Sequence, residues 1–230
     1  MTKNILIVTT NYSGDICDNE NCIKETGVNL EEYAIPYLIF EATKYNITTA
    51  SINGGLSSVD ETSMSCSNPM EWDKCIKILR NTKKLSDINI EDFDAVYFPG
   101  GHGAMFDIAQ SEEVKNLVEY FYSKNRIVAA ICHGVAALIN AKDKKGNPIV
   151  KNANVTSFTN REEYIIKLDK SVPFLLETKL RFLGADFVED KPWAEHVEVY
   201  CDNIITGQNQ NSATLIAEKI IEALNKEQTI

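Results

Sequence analysis

Short apolar segments alternate with a helical segment at the start of the chain, and this order constrains the fold more than any other feature. Ile5–Thr9 has the β-branched, apolar composition of a strand that is buried on both faces. Leu30–Tyr45 has a helical spacing of apolar residues, and Ile47–Ile52 is a second strand. A strand, a helix and a strand in this order form a βαβ unit, so the sequence predicts an α/β fold with a parallel sheet.

The rest of the chain continues this pattern with one interruption. Further strands are predicted at Ala95–Phe98, Arg126–Ile131 and Val155–Phe158, a hairpin at Val197–Cys201 and Ile204–Thr206, and helices at Trp72–Leu85, Glu112–Lys124, Pro173–Leu183 and Ser212–Asn225. Residues 56–92 break the rhythm, and we interpret them as a cap-like insertion that roofs a site. No linker divides the chain, so a single domain over residues 1–230 is expected.

The composition restricts the partners and the setting. The chain has 23 basic and 33 acidic residues, and its net charge of −10 argues against nucleic acid and anionic membranes as partners. No apolar run approaches the roughly 20 residues of a membrane span. The six cysteines show no tight disulfide or zinc spacing, so we expect a reduced, cytoplasmic protein.

The predicted strand that ends at Ile131 leads directly into Cys132-His133-Gly134, and an apolar helical pattern follows. Such a turn lifts one thiol out of the end of the sheet toward a cleft. The positive end of the following helix would favour the thiolate form of Cys132. His133 could accept the thiol proton or pair with the thiolate, and Gly134 permits close backbone approach. The local pattern leaves a buried structural cysteine open as the alternative.

A glycine-rich turn, Pro99-Gly100-Gly101-His102-Gly103, follows the strand Ala95–Phe98. Three glycines in four residues indicate exposed backbone N–H groups, which could bind an oxyanion. Open parallel sheets bind ligands at the C-terminal ends of their strands, so this turn and Cys132 are expected at the same edge. An ordinary glycine turn is the alternative.

Acidic residues stand at two further positions of interest. Glu32 lies near the start of the first helix, where the helix dipole alone also favours an acid. If it reaches the cleft, its carboxyl group can exchange protons with a substrate. Glu162 and Glu163 are either solvated surface residues, or one of them is the acid that orients His133. Because no carboxylate-rich or cysteine cluster has metal spacing, we expect no catalytic metal, and an ion shared by Cys, His and Glu side chains is the alternative.

Taken together, these motifs resemble the ThiJ/PfpI superfamily, whose fold is like that of class I glutamine amidotransferases. The resemblance spans almost the whole chain, in Thr26-Gly27-x-x-x-Glu31-Glu32-x-x-x-Pro36-Tyr37, residues 98–103, Ala130-Ile131-Cys132-His133-Gly134, Pro173-Phe174-Leu175-Leu176-Glu177 and Ile205-Thr206-Gly207-Gln208-Asn209. It implies a flavodoxin-like, three-layer α/β sandwich with a mostly parallel central sheet, helices on both faces and a small inserted cap. The G-G-H-G-x-x-F-D pattern of residues 100–107 is similar to the branch of glutathione-independent glyoxalases (glyoxalase III) and stress-induced holding chaperones.

This resemblance implies a role for each matching residue. Cys132 matches the nucleophile and His133 its neighbouring histidine. Glu32, preferred to Glu31 because it lies four residues before Pro36, matches the acid that touches the nucleophile.

Two further roles follow from the same match. Glu163, with Glu162 as the fallback, matches the acid of the catalytic triad. Gly100, Gly101 and His102 match the segment that binds the substrate and its oxyanion, together with the backbone amide of His133.

The resemblance also implies an activity. We expect a cysteine-dependent, cofactor-free conversion of methylglyoxal or a related 2-oxoaldehyde into a 2-hydroxy acid such as lactate. The same residues would serve a cysteine hydrolase, acting as a peptidase, amidase or deglycase, and the fold also occurs in holding chaperones that bind unfolded chains. A homodimer is the expected assembly.

Overall fold

The computed structural model of the chain describes residues 2–17, 22–23, 25–64 and 69–226. The strands in these ranges are β1 Asn4–Thr9, β2 Ile16–Cys17, β3 Cys22–Ile23, β4 Asn46–Ser51, β5 Lys83–Lys84, β6 Ala95–Phe98, β7 Ile127–Ile131, β8 Asn154–Val155, β9 Asp186–Phe187, β10 Val197–Tyr200 and β11 Ile204–Gly207. The helices are α1 Leu30–Ala42, α2 Trp72–Leu79, α3 Glu112–Ser123, α4 Asn160–Ile165, α5 Leu176–Phe182 and α6 Ala213–Lys226.

The described strands form a seven-stranded sheet in the order β10-β11-β7-β6-β1-β4-β5. Neighbouring strands in this sheet run parallel, except for the antiparallel pair of β10 and β11. β2–β3 and β8–β9 form two small separate sheets. The α/β fold with a mostly parallel central sheet is therefore confirmed, as is the hairpin at its edge.

Both faces of the sheet are covered by helices. Along β1, Leu6 and Val8 pack into a core cluster with α3 and α5, whereas Ile5 and Ile7 pack into a second cluster with α1 and α6. Successive strand residues point to opposite faces, so a strand between two helical layers needs apolar residues at every position. This requirement explains the unbroken apolar sequence of β1 and confirms the three-layer arrangement.

The order of the strands fixes where a site can form. From β1 the chain proceeds to β4 and β5 on one side, and then returns to β6 and β7 on the other side. The reversal lies between β1 and β6, and ligands of open α/β sheets bind at such a point, beyond the C-terminal ends of the strands. The segments that follow β1, β6 and β7 carry Glu32, residues 100–102, Cys132 and His133, and α4 carries Glu163.

Several predicted boundaries were wrong, each for a local reason. The helix predicted at Trp72–Leu85 ends at Leu79, because Thr82 exchanges backbone hydrogen bonds with Gly55 and the next two residues pair with β4 as β5. The strand predicted at Val155–Phe158 is the two-residue β8, which pairs with β9 outside the main sheet. The helix predicted from Pro173 begins at Leu176 as α5.

The cysteine prediction needs one correction. Cys17, at the end of β2, is disulfide-bonded, so the expectation of reduced cysteines throughout is wrong at this position. A disulfide requires two Cα atoms to be close in space, and spacing along the chain does not report that distance. Cys75, Cys132 and Cys201 carry free thiols.

The described helices were also compared with the requirements of a membrane span. None of the helices in the described ranges is long and apolar enough to cross a lipid bilayer.

Candidate active site

The turn after β7 holds Cys132 in a conformation that few residues adopt. Its φ angle is 55°, in the left-handed region, and the following residues to Leu138 form a 3₁₀ helix rather than the α-helix expected from the sequence. A bulky residue in this region is strained, and such strain occurs often at functional sites. Gly134 permits the turn, since a Cβ atom there would lie 2.7 Å from the carbonyl oxygen of Pro99. The thiol is thereby held at the edge of the sheet.

Glu32 is placed by the N-terminal end of α1. The side chain of Asn29 caps this helix by accepting hydrogen bonds from the backbone N–H groups of Glu31 and Glu32. Pro36 lies one turn later and has no N–H to donate to the carbonyl oxygen of Glu32. The hydroxyl group of Tyr97 in β6 donates to that oxygen instead, at 2.7 Å. The spacing of Glu32 and Pro36 therefore ties the first turn of α1 to the central strand.

The carboxyl group of Glu32 is fully buried beside the thiol of Cys132. Its Oε2 atom accepts a 2.7 Å hydrogen bond from the backbone N–H of Gly100. A Cβ atom at Gly100 would lie 2.8 Å from the Cβ of Cys132, so only glycine allows this approach. Burial raises the pKa of Glu32 to about 8. Glu32 is therefore mostly a neutral carboxylic acid at pH 7.

The protonation of Cys132 differs from the sequence expectation. Burial, and next the adjacent Glu32, raise the pKa of the thiol well above its usual value, although the backbone N–H of His133 donates to the sulfur and opposes this shift. The prediction that a helix end would favour the thiolate was wrong, because it did not include the loss of water around the sulfur. The resting site holds a thiol that needs a base.

His133 is the base nearest to that thiol. Its Nδ1 atom lies 3.3 Å from Sγ of Cys132, and its Nε2 atom lies 2.8 Å from Oε2 of Glu163. Contact with two histidines lowers the pKa of Glu163, and an ionised carboxylate can only accept hydrogen bonds. Nε2 of His133 must then carry the hydrogen. Burial lowers the pKa of His133, so the ring is neutral and Nδ1 is free to accept the thiol proton.

A second histidine shares the same carboxylate. Nε2 of His102 lies 2.9 Å from Oε1 of Glu163, and its ring centroid lies 4.0 Å from that of His133. His102, His133 and Glu163 present ligand atoms that all lie within 4.8 Å of one another, which is a spacing that could hold a metal ion. In the structure each of the two histidines instead forms a hydrogen bond with Glu163. The expectation of no metal stays a prediction.

Glu162, the fallback for the triad acid, has a different environment. Its Oε2 atom accepts from the backbone N–H and the hydroxyl group of Thr159, which forms the capping box of α4. Its Oε1 atom accepts from the backbone N–H of Trp193 and the side-chain amides of Gln208 and Asn209. The structure therefore brings Glu163, and not Glu162, to His133. Glu162 instead joins three segments behind the site.

A cavity of about 460 Å³ opens above Cys132. Of the predicted residues, Gly101, His102, Cys132 and His133 line it. Gly100 was expected to bind substrate, but the structure gives its N–H to Glu32, so that expectation is wrong for the amide. The backbone of Gly101, at φ 97°, passes so close to Asn29 that a Cβ atom would lie 2.5 Å from its nitrogen.

Other residues of the cavity were not predicted from the sequence. Asp60, Phe158 and Trp193 are among them. The pattern Thr159-x-x-Glu162 is a capping box that could have revealed α4 and its position beside the site. No comparable signal marks Trp193, because its position depends on long-range hydrogen bonds to Glu162 and Asn211.

Comparison with known proteins gives consistent matches over nearly the whole chain. A model of the DJ-1/PfpI family matches residues 22–223. Glyoxalase 3 of Candida albicans is 29% identical, over 95% of this chain and 97% of the relative. The solved structure of Candida albicans glyoxalase III superimposes with a TM-score of 0.83 at 28% identity, covering 96% of this chain and 97% of the other. The Francisella tularensis Rapid Encystment Protein 24 KDa reaches a TM-score of 0.88 at 39% identity, covering 97% and 99%.

Proposed function

The chain belongs to the DJ-1/PfpI family, and we propose that it is a glutathione-independent glyoxalase acting on methylglyoxal or a related 2-oxoaldehyde. The matching sequence and the matching solved structure from Candida albicans are both named as a glyoxalase. One observation carries the proposal. A thiol lies 3.3 Å from Nδ1 of His133, and Glu163 keeps that atom free of a proton. This pair can generate a nucleophile from a neutral thiol inside a closed site.

The first step forms a bond between sulfur and the aldehyde carbon. Nδ1 of His133 takes the proton of Cys132, and the thiolate adds to C1 of the substrate. Glu32 is protonated at neutral pH, since burial raises its pKa to about 8, and it donates its proton to the oxygen on C1. The backbone N–H of Gly101, which lines the cavity, stabilises that oxygen as charge develops. The product is a neutral hemithioacetal.

The second step moves a hydrogen from C1 to C2. The carboxylate of Glu32 removes the proton from C1, while His133 gives its proton to the oxygen on C2, which forms an enediol. Glu32 then protonates C2, and His133 accepts the proton of the hydroxyl group on C1, which leaves a thioester. Glu32 takes a proton from a water molecule as its oxygen attacks the thioester, and His133 returns its proton to the departing sulfur, which releases the 2-hydroxy acid and restores the thiol. A positioned base of this kind typically accelerates a reaction about 10²–10⁴-fold.

The size of the cavity favours this reaction over peptide hydrolysis. A space of about 460 Å³ above a thiol that is only 4% exposed accommodates a small molecule more readily than an extended chain. Hydrolysis of peptides therefore has no specific feature of the structure in its favour. The homodimer, the cytoplasmic setting and the holding of unfolded chains stay predictions from the sequence.

Product analysis tests the proposal. The full chain is incubated with methylglyoxal in buffer without glutathione, and the products are identified by NMR. We expect lactate to accumulate in proportion to the methylglyoxal consumed. A protein that leaves methylglyoxal unchanged but cleaves an amide substrate would be a hydrolase, and the proposal would be wrong.

A further inference from the structure

The cavity above Cys132 has a polar, acidic side. Glu31 at the start of α1 and Asp60, Thr62 and Ser63 of the following insertion line it together. They form one surface, because the hydroxyl group of Ser63 accepts from the N–H of Leu30 in α1. Among the residues that the structure describes, no lysine or arginine lines the cavity or pairs with Glu31 or Asp60. A negatively charged ligand would find no counter-ion on this side.

A second group of residues that line the cavity is apolar. Phe158, Ile166, Leu168 and Trp193 line it, and the ring of Phe158 packs 4.6 Å from that of His133. Phe158, Ile166 and Leu168 lie just before and just after α4, and Trp193 lies in the segment that α4 anchors through Glu162. The cavity above the reactive sulfur therefore carries both acidic and aromatic residues.

Trp193 is held in place by more bonds than a surface loop normally has. Its φ angle of 59° lies in the left-handed region, which a bulky residue adopts only when its surroundings enforce it. Its N–H donates to Oε1 of Glu162 at 2.8 Å, and its carbonyl oxygen accepts from the side-chain amide of Asn211 at 2.6 Å. The next carbonyl, that of Ala194, accepts from Asn209 at 3.0 Å. This network fixes the backbone of Trp193, which lines the cavity.

The cavity is also larger than methylglyoxal requires. Its volume of about 460 Å³ falls in the range of roughly 300–1,000 Å³ that accommodates drug-sized ligands, whereas methylglyoxal is a three-carbon molecule. Resting on the proposed glyoxalase function, we propose that the site is specific for 2-oxoaldehydes with an aromatic substituent and no negative charge. Trp193 contacts the aromatic substituent, and Glu31 disfavours anionic substrates.

Three aldehydes test this specificity on the full chain. They are methylglyoxal, phenylglyoxal and 4-carboxyphenylglyoxal, and kcat/KM is measured for each from initial rates without glutathione. We expect the uncharged phenylglyoxal to exceed its carboxylate analogue by about tenfold or more, because a partly desolvated charge next to Glu31 and Asp60 is repelled. Phenylglyoxal should also exceed methylglyoxal.

Substitutions at Trp193 and Glu31, each with a matched control variant, assign the selectivity to residues. Trp193→Ala should lower the ratio of kcat/KM for phenylglyoxal to that for methylglyoxal about tenfold, a typical effect of lost apolar contact. Trp193→Phe keeps an aromatic ring and should retain most of the ratio. Glu31→Gln should relax the discrimination against the carboxylate severalfold, whereas Glu61→Gln removes the same charge from an exposed neighbour outside the cavity and should not.

The outcomes separate this inference from the proposed function. A chain that converts methylglyoxal but treats phenylglyoxal and its carboxylate analogue equally would overturn the specificity and leave the glyoxalase intact. An unchanged substrate ratio in both Trp193 variants would overturn the role of Trp193. A chain that converts none of the three aldehydes would overturn the proposed function itself.

Discussion

At the scale of single residues, Glu163 has the most constrained position of the site. It divides its two oxygens between Nε2 of His102 and Nε2 of His133, at 2.9 and 2.8 Å. Both rings must present a hydrogen to an ionised carboxylate, so the tautomer of His133 is fixed by its neighbour. That tautomer leaves Nδ1 facing the sulfur of Cys132, where a base is needed.

Glu163→Gln therefore should remove activity through the tautomer rather than through binding. The amide NH₂ group would face a ring N–H, and His133 would turn its hydrogen toward the sulfur. We expect kcat for lactate formation to fall by about 10²–10⁴-fold with a smaller change in KM, as in triads that lose the correct tautomer. Steady-state kinetics with methylglyoxal checks this, with the circular dichroism spectrum as a control for folding. A variant with at least a third of the wild-type kcat would contradict it.

Glu32 predicts a pH dependence of stability. Its pKa is about 8 in the folded chain, compared with about 4.5 for an exposed carboxyl group. Because the folded chain holds this proton more tightly than the unfolded chain, the contribution of Glu32 to the free energy of unfolding is fully present below pH 4.5. It decreases as the pH rises and is lost as the pH passes through 8. Glu32→Gln cannot ionise, so it should gain stability relative to wild type between pH 4.5 and 8. Thermal unfolding across this range measures the difference, and a difference that stays constant with pH would contradict the assignment.

The residues of the site differ in how far the sequence could identify them. Cys132, His133 and Glu32 lie in recognisable motifs, so the sequence was sufficient to predict that they belong to one site. The protonation state of Cys132 could not be predicted, because burial is a property of the packed fold. The backbone N–H of Gly100 was wrongly assigned to substrate binding, because the sequence does not show that this N–H donates to the carboxyl group of Glu32.

At the scale of elements, α1 and β6 are joined by one hydrogen bond that depends on a proline. Pro36 cannot donate to the carbonyl oxygen of Glu32, and the hydroxyl group of Tyr97 fills that position at 2.7 Å. Both groups are buried, so an unpaired carbonyl would be costly. The position of the catalytic acid is thus set by a contact between elements.

A double-mutant cycle tests this contact. Tyr97→Phe should lower the free energy of unfolding by about 1–3 kcal/mol, since the carbonyl group of Glu32 loses its donor. In a Pro36→Ala background, the restored backbone N–H at position 36 can donate to the same oxygen. The loss caused by Tyr97→Phe should then be smaller, as chemical denaturation will measure. Equal losses in both backgrounds would show that the two residues act independently.

Helices and strands were predicted correctly where the pattern of apolar residues was long. The predictions failed where local hydrogen bonds determine the type or the end of an element. The continuous apolar patterns of β1, β6 and β7 predicted the parallel sheet, because each of these strands is buried on both faces. The 3₁₀ helix after Cys132 was expected as an α-helix, since apolar composition does not distinguish the two. The helix α4 was missed although Thr159 and Glu162 form its capping box.

At the scale of the whole molecule, the order of the strands produces the site. Because β6 lies between β1 and β7, the segments after these three strands meet at one edge of the sheet. The segments after β1, β6 and β7 bring Glu32, Gly101 and Cys132 to that edge, and α4 adds Glu163. The sequence predicted the parallel sheet, but the separate β8–β9 pair and the network around Glu162 depend on contacts between distant segments.

The measurement that tests the central claim most directly compares two cysteine variants in the glutathione-free lactate assay. Cys132→Ala removes the thiol above which the cavity opens, and Cys201→Ala removes an exposed free thiol elsewhere. We expect lactate formation from methylglyoxal to be abolished in the first variant and retained in the second. Lactate formed by Cys132→Ala at the wild-type rate would contradict it.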